Sequence, residues 1–230
     1  MRALAPLLLA ALLLPAAAQA GAPLPGFELR GQSEHFVFYA ADSSPKPEIE
    51  RSERYLAKVE RELGLQVTEQ STYLLVGHPS DIFAATGLYT EGVTNLESGV
   101  IMSVHGFHPH EIVHRVAGEL GNPGLLFHEG LAVALGDKGR IGGQRVDRLA
   151  RRALEQHRFE EYLQGFRSFP ADQAYAVAGS FVGSLLRRYS IDQVAAFFRA
   201  CGGRLRAAVF CMRQDCTHKR GRARPWVRAS

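Results

Sequence analysis

Two histidines and two glutamates in the middle of the chain have the spacing of a metal site. His110 and His114 stand four positions apart in the run HEIVH, and Glu129 follows His114 by fifteen positions in the run EGLA. Side chains four residues apart lie on one face of an α-helix, so both imidazoles can converge on a single metal ion, while Glu111 projects beside them. A catalytic zinc ion takes three protein ligands and keeps a fourth position open for water, which makes Glu129 the candidate third ligand.

The segments that carry these residues are predicted to be two helices joined by a sharp turn. Pro109 can occupy the first position of the first helix, because that position needs no backbone donor. The sequence GNPG at 121–124 breaks the chain, and a second helix is predicted over 125–135, ending at Gly136. The turn is expected to bring Glu129 back toward His114.

Upstream of the first site helix, the pattern predicts strands and helices in alternation. Residues 33–40 alternate in side-chain character and are rich in aromatic and branched residues, which favours a strand. Apolar residues at helical spacing predict an amphipathic helix over 47–63 that lies on a sheet. The remaining elements predicted in this half are a strand at 72–76, a short helix from Ser80 to near Gly87, and an edge strand at 100–104.

Downstream of the second site helix, the sequence pattern is helical throughout. Helices are predicted over 146–157, 173–189 and 191–200, with Ser190 and Gln193 as a possible capping box for the last one. Strands that precede helices favour the α+β class. We therefore expect a small N-terminal mixed sheet with a helix packed on it, then a mainly helical lobe, with the metal site between them.

The N-terminal residues predict export. Residues 1–20 have the features of a secretory signal peptide, with Arg2, an apolar core over 4–14 and a cleavage site of small residues that ends at Ala20. The apolar core is too short to span a bilayer. We expect a mature chain that starts at Gly21, folds as one domain over 21–203 and is secreted or periplasmic.

Residues 204–230 form a basic tail. The chain has 27 Lys and Arg against 23 Asp and Glu, a net charge of +4, and the tail holds eight of the basic residues with Asp215 as its single acidic one. Because the charge is local, no nucleic-acid partner is expected, although the tail could contact anionic envelope surfaces. An exported chain with three cysteines favours one disulfide, and a zinc site that includes His218 is the alternative. The pairing stays open among Cys201, Cys211 and Cys216.

The stretch HEIVHRVAGELGNPGLLFHEGLAVAL, with FVFYA before it and AYAVAGSFVGSLLRRYS after it, resembles the gluzincin metallopeptidases. The resemblance is to their compact peptidase MA-like domains and covers roughly residues 30–200. It implies a zincin-like fold whose edge strand lies beside the substrate, and one Zn²⁺ held by His110, His114 and Glu129. It also implies Glu111 as the general base. Tyr175 is a candidate for stabilising the tetrahedral intermediate, with a packed core aromatic as the alternative.

Together with the predicted signal peptide, this resemblance implies an exported zinc-dependent metallopeptidase, a hydrolase that acts on a peptide or protein substrate. An endopeptidase is favoured, because the sequence lacks the Gly-x-Met-Glu-Asn type of anchor for a free amino terminus. Two other functions stay open: a catalytically silent zincin-like domain that binds a peptide or protein partner, and a basic, disulfide-stapled adaptor whose metal is structural.

Four further residues near the site bear on how the ligands are supported. His105 and His108 lie just upstream and are interpreted as polar lining rather than as ligands. His128 adjoins Glu129 but points about a hundred degrees away on a helix, so it is interpreted as a supporting or surface residue. Some gluzincins carry an acidic residue four positions after the glutamate ligand, where it orients a zinc histidine, whereas this chain has Val133 there.

Overall fold

The computed structural model describes residues 26–121 and 123–200. The predicted signal peptide at 1–20, the basic tail at 204–230, the three cysteines and His218 lie outside the described residues. Within the described ranges, no helix is both long enough and apolar enough to cross a membrane.

The first half of the described chain alternates strands and helices. Its elements are β1 Glu28–Gln32, β2 Phe36–Ala40, α1 Ile49–Leu63, β3 Ser71–Leu75, α2 Pro79–Thr86, β4 Gly92–Thr94, β5 Ile101–Ser103 and α3 Pro109–Ala117. The second half is mainly helical. It contains α4 Leu125–Leu135, a small hairpin of β6 Arg140–Ile141 and β7 Gln144–Arg145, then α5 Val146–Gln156, α6 Phe159–Gln164, α7 Ala171–Arg188 and α8 Ile191–Ala200. The predicted α+β class is confirmed.

The five-stranded sheet is mixed and has the order β1-β2-β3-β5-β4. The two central pairs, β2 with β3 and β3 with β5, are parallel, whereas β1 and β4 pair antiparallel at the two sides. The prediction that 100–104 is the edge strand is therefore wrong. The two edge strands are β1 and β4, and β5 lies inside the sheet between β3 and β4, although β4 precedes it in the chain.

Two segments for which the sequence pattern predicts neither a helix nor a strand contain regular structure. The segment 87–98 contains β4, which has only three residues, too few for alternation to be visible in the sequence. The segment 158–171 contains α6, which begins at Phe159 and is followed by a short 3-10 helix at Phe166–Ser168. Short elements such as these depend on tertiary packing rather than on sequence periodicity.

Residue contacts divide the described chain into two compact units, the first made of 26–61 and 65–118 and the second of 62–64 and 119–200. In the first unit, aromatic side chains fill the core of the sheet: Phe36, Phe38 and Tyr73 are fully buried, and the rings of Phe38 and Tyr73 stack with centroids 4.8 Å apart. Helix α2 packs its buried Ile82 and Ala85 on Leu74 and Met102 of the sheet.

Helix α1 is attached to the same sheet by a paired carboxylate. Glu53 accepts a hydrogen bond at 2.8 Å from the backbone N–H of His35, just before β2, and its second oxygen lies 2.8 Å from His35 Nδ1. Leu56 and Val59, on the apolar face of α1, are fully buried. The predicted amphipathic helix is thus present, and it begins at Ile49 rather than at Pro47.

In the second unit, α7 is the central helix and packs against α4 and α5. It runs for 18 residues. Every residue from Ala174 to Leu185 is buried except Tyr175, which is half-buried. The predicted capping box at the start of α8 is confirmed: Gln193 Oε1 accepts from the Ser190 N–H at 3.0 Å, and the Gln193 N–H donates to Ser190 Oγ at 3.4 Å.

Candidate metal centre

Helix α3 carries His110, Glu111 and His114, and its start is set by proline. Pro109 occupies the first turn after His108, which is extended with φ −125° and ψ 91°. Glu111 lies in this first turn, where a carboxylate interacts favourably with the positive end of the helix dipole. One helical turn separates the two histidines, whose ring centroids lie 4.8 Å apart. The helix therefore presents two imidazoles on one face, as the spacing predicted.

Glu129 completes a group that could hold a metal ion. One ligand atom each from His110, His114 and Glu129 lies within 4.8 Å of the other two. In the described part of the chain, no further His, Cys, Asp or Glu joins this group. Two imidazole nitrogens and one carboxylate oxygen are a donor set of catalytic zinc sites, which keep a fourth position for water. The chemistry of the three donors thus fits zinc.

Glu111 is buried beside this group and is held by β4. The residue is only 4% exposed. The hydroxyl of Thr94 lies 2.8 Å from Glu111 Oε2 and 3.1 Å from the Glu111 backbone oxygen, and it donates its one proton between them. The contact joins the acidic residue of α3 to the edge strand.

Gly92 explains how α3 can lie so close to β4. A Cβ atom at Gly92 would lie 2.5 Å from the ring of His108 and 2.7 Å from Glu111 Cγ, both too close for any side chain. Residues 92 and 94 face the same side of a strand, so β4 turns a bare glycine and a threonine hydroxyl toward α3. Val93 faces the other way and packs in the cluster around α2.

The backbone of β4 also has two sides. Asn95 donates to the Val100 carbonyl at 2.9 Å and Val104 donates to the Glu91 carbonyl at 3.0 Å, so residues 91, 93 and 95 turn their peptide groups toward β5. By the alternation of an antiparallel ladder, Gly92 and Thr94 turn theirs toward the open edge of the sheet. The backbone of Thr94 therefore faces the open edge of the sheet, and its side chain contacts Glu111.

His105 and His108 have partners other than the metal group. His105 is exposed, and its Nε2 lies 2.9 Å from Glu91 Oε2. The Nδ1 of His108 lies 2.8 Å from Ser103 Oγ, inside β5. The loop between β5 and α3 is held by Tyr73 of β3, whose hydroxyl donates to the His105 carbonyl at 3.0 Å. These contacts favour the interpretation that both histidines line the site.

His108 is neutral at physiological pH. Burial is the largest cause, and together with the nearby His110, His105 and His114 it lowers the pKa of His108 to about 3. A neutral imidazole adds no positive charge next to the two histidines that would bind a cation.

Helix α4 positions Glu129, and glycines determine where it can lie. The chain enters α4 through Gly124, whose φ of 110° is a conformation that L residues avoid. Gly130, the residue after Glu129, faces α7: a Cβ atom there would lie 2.6 Å from the Ala178 carbonyl oxygen and 2.5 Å from Val182 Cγ2. The EGLA run therefore combines a candidate ligand with a point of close helix contact.

Val133 belongs to the same helix contact. It is fully buried, and a Cβ atom at Gly179 of α7 would lie 2.4 Å from its Cγ1. An acidic side chain at 133 would be placed in this packed, apolar contact, where an unpaired charge is costly. This packing accounts for an apolar residue at position 133.

Replacing Gly130 with alanine is expected to lower the free energy of unfolding by about 1–3 kcal/mol, because the added methyl meets the backbone of Ala178, which cannot rotate away. Gly183→Ala is the matched control in the same helix pair. Its nearest neighbour is the mobile end of Arg187 at 3.3 Å, and alanine improves helix propensity by up to about 1 kcal/mol. Denaturant unfolding of both variants measures the difference, and equal effects would contradict the close approach at Gly130.

Tyr175 and His128 have contacts that bear on their predicted roles. Tyr175 packs at the edge of an apolar cluster of Val133, Val146 and Ala176, and its ring lies 5.5 Å from that of Phe166. This packing supports the core alternative, and a role in the reaction stays a prediction. His128 is 2% exposed and therefore not a surface residue, and its Nε2 lies 2.9 Å from the Gly121 carbonyl oxygen.

Sequence reasoning missed Thr94, Gly92 and Ser103. Gly92 and Thr94 lie in β4 and Ser103 lies in β5. The sequence pattern does not predict β4 as a strand. A threonine and a glycine two positions apart in the run GVT are a possible signal of one strand face that is small and polar. Unless 92–94 is recognised as a strand, however, the run GVT does not indicate which residues share a face.

Comparison of the chain with protein-family models, with curated proteins and with solved structures finds no significant match. The likeness to gluzincins therefore rests on the motif residues. A function has to be argued from the site itself.

Proposed function

We propose that this chain is an exported zinc-dependent metallopeptidase that hydrolyses peptide bonds as an endopeptidase. The observation that carries the proposal is the convergence of ligand atoms from His110, His114 and Glu129 within 4.8 Å, with the buried carboxylate of Glu111 on the same helix as the two histidines. A structural zinc site has four protein ligands and needs no adjacent base, whereas three ligands and a spare carboxylate suit catalysis.

His110 and His114 would bind the ion through ring nitrogens and Glu129 through a carboxylate oxygen. When bound, zinc lowers the pKa of a coordinated water to about 7 and polarises a substrate carbonyl as a Lewis acid. The domain proposed for this chemistry is 21–203, released by cleavage of a signal peptide at 1–20.

Glu111 would transfer the protons. Its Oε1, the oxygen that does not accept the Thr94 hydrogen bond, would accept a proton from the attacking water and later give it to the amine nitrogen of the departing product. Burial of Glu111 keeps bulk water from competing for that proton. A positioned carboxylate of this kind contributes about 10²–10⁴-fold to the rate.

The open edge of the sheet would bind the substrate backbone. An extended peptide can add to an exposed strand edge through main-chain hydrogen bonds, and β4 turns the N–H and C=O of Thr94 outward. The edge strand proposed for this role is thus β4, in place of the predicted 100–104. A peptide bound along a strand edge can continue in both directions, which favours internal cleavage over removal of single terminal residues.

The test uses the mature full-length chain, residues 21–230, loaded with zinc. Metal content is measured first, and a diverse peptide mixture is then incubated with the protein and its cut sites are mapped by mass spectrometry. We expect one zinc ion per chain and a recurring set of cuts that disappears with a chelator and returns with zinc. Absence of bound zinc would overturn the proposal. Stoichiometric zinc without any cut would replace it with the silent peptide-binding domain.

A further inference from the structure

We propose that Thr94 is a positioning residue for the reaction, which holds the carboxylate of Glu111 in the orientation that accepts the proton. The inference rests on the proposed function and adds a residue that the motif does not contain. Its basis is the 2.8 Å contact between Thr94 Oγ1 and Glu111 Oε2, made from the neighbouring edge strand rather than from the helix.

The side chain of Glu111 is restricted at two points. Near its base, Gly92 allows Cγ to approach the strand so closely that a methyl group at Gly92 would lie 2.7 Å away. At its end, the Thr94 hydroxyl binds Oε2. Glutamate has several rotatable bonds, and a buried carboxylate fixed at both ends retains one orientation.

The hydroxyl also determines which oxygen is available to react. A threonine hydroxyl has one proton, and its closest acceptor is Oε2, at 2.8 Å against 3.1 Å for the backbone oxygen. Hydrogen bonds to an ionised acceptor are stronger than those between neutral groups. Oε2 is therefore the oxygen that accepts the Thr94 proton, which leaves Oε1 to accept the proton in the proposed reaction. Displacement of a reacting group by about 1 Å can lower a reaction rate by about 100-fold.

Thr94 links two functions in one residue. Its backbone faces the open edge where the substrate would pair, and its side chain contacts the base. Because substrate pairing uses the backbone, removing only the hydroxyl should change the chemical step and leave substrate binding intact. This separates a positioning role from a general weakening of the edge strand.

The kinetic test compares Thr94→Val, which removes the hydroxyl at nearly constant shape, with Thr94→Ser, which keeps it. We expect Thr94→Val to lower kcat about 10- to 100-fold with KM within about twofold, and Thr94→Ser to retain kcat within about threefold. The control is Thr72→Val, at a half-buried threonine of β3 in the same sheet, and it should retain wild-type kinetics. Zinc affinity should be the same in all four proteins.

A second readout does not depend on activity. Unfolding of wild type, Thr94→Val, Glu111→Ala and the double variant forms a double-mutant cycle. A hydrogen bond to a charged group is expected to appear as a coupling of about tenfold in the unfolding equilibrium constant. An active wild type with an unchanged kcat in Thr94→Val would overturn the positioning role and leave the proposed function standing. A coupling near one would overturn the contact itself, whereas an inactive wild type with full coupling would overturn the function.

Discussion

Replacing Glu111 with glutamine is expected to lower kcat for peptide hydrolysis by about 10²–10⁴-fold while one zinc ion per chain stays bound. Glutamine has nearly the same shape and keeps an oxygen for the Thr94 hydroxyl, but an amide cannot accept the proton. Glu111 is not in the ligand group, so the metal content should not change. The measurement is kcat and KM for a peptide chosen from the mapped cut sites, with zinc analysis of the same samples.

The control for this variant is Glu155→Gln, an exposed glutamate of α5. It removes the same charge and should retain wild-type kinetics. Two results would count against the role of Glu111. Full activity of Glu111→Gln would remove it from the mechanism, and loss of zinc together with loss of activity would make it a part of the metal site instead. Cuts identical in both variants and independent of zinc would come from a contaminating protease.

Replacing a candidate ligand is expected to weaken zinc binding by at least about 100-fold, which is the upper range for residues that merely support a ligand. Glu129→Ala is the more informative change, because Glu129 comes from a separate helix and His-Glu-x-x-His runs occur by chance. His110→Ala is expected to have a similar effect, since it removes one of three donors. Competition with a chromogenic chelator gives the dissociation constants, and hydrolysis should fall in parallel.

His105→Ala is the matched histidine control for the ligand variants. His105 lies five residues before His110, is exposed and contacts Glu91. Its replacement should leave the zinc dissociation constant within about twofold of the wild-type value, whereas loss of a ligand should raise that constant far more. If His105→Ala weakens zinc as strongly as Glu129→Ala does, then His105 is a ligand and the three-residue site is incorrect.

The main helices and the candidate ligand group could be predicted from the sequence because both depend on local rules. Pro109 sets the start of α3, the four-residue spacing places His110 and His114 on one face, and Gly124 lies directly before the start of α4. Each of these signals lies within a few residues of the feature that it determines.

The edge of the sheet and the surroundings of Glu111 could not be predicted, because they depend on which strands become neighbours. β4 precedes β5 in the chain but lies outside it in the sheet. Only this order brings Thr94 to Glu111, seventeen residues away. In the same way, the packing roles of Gly130 and Val133 depend on their contacts with α7, a helix that is distant from them in the chain.

An open strand edge also exposes a protein to pairing with copies of itself. β4 limits that risk, because it has only three residues and Thr90 engages Gly92 at the edge: the Thr90 hydroxyl lies 3.0 Å from the Gly92 carbonyl oxygen and 3.4 Å from its N–H. In the part of the chain that the structure describes, the outward pairing groups of this strand thus reduce to those of Thr94. One residue can align a peptide that other contacts also hold, but it cannot template the continuous ladder from which aggregates grow.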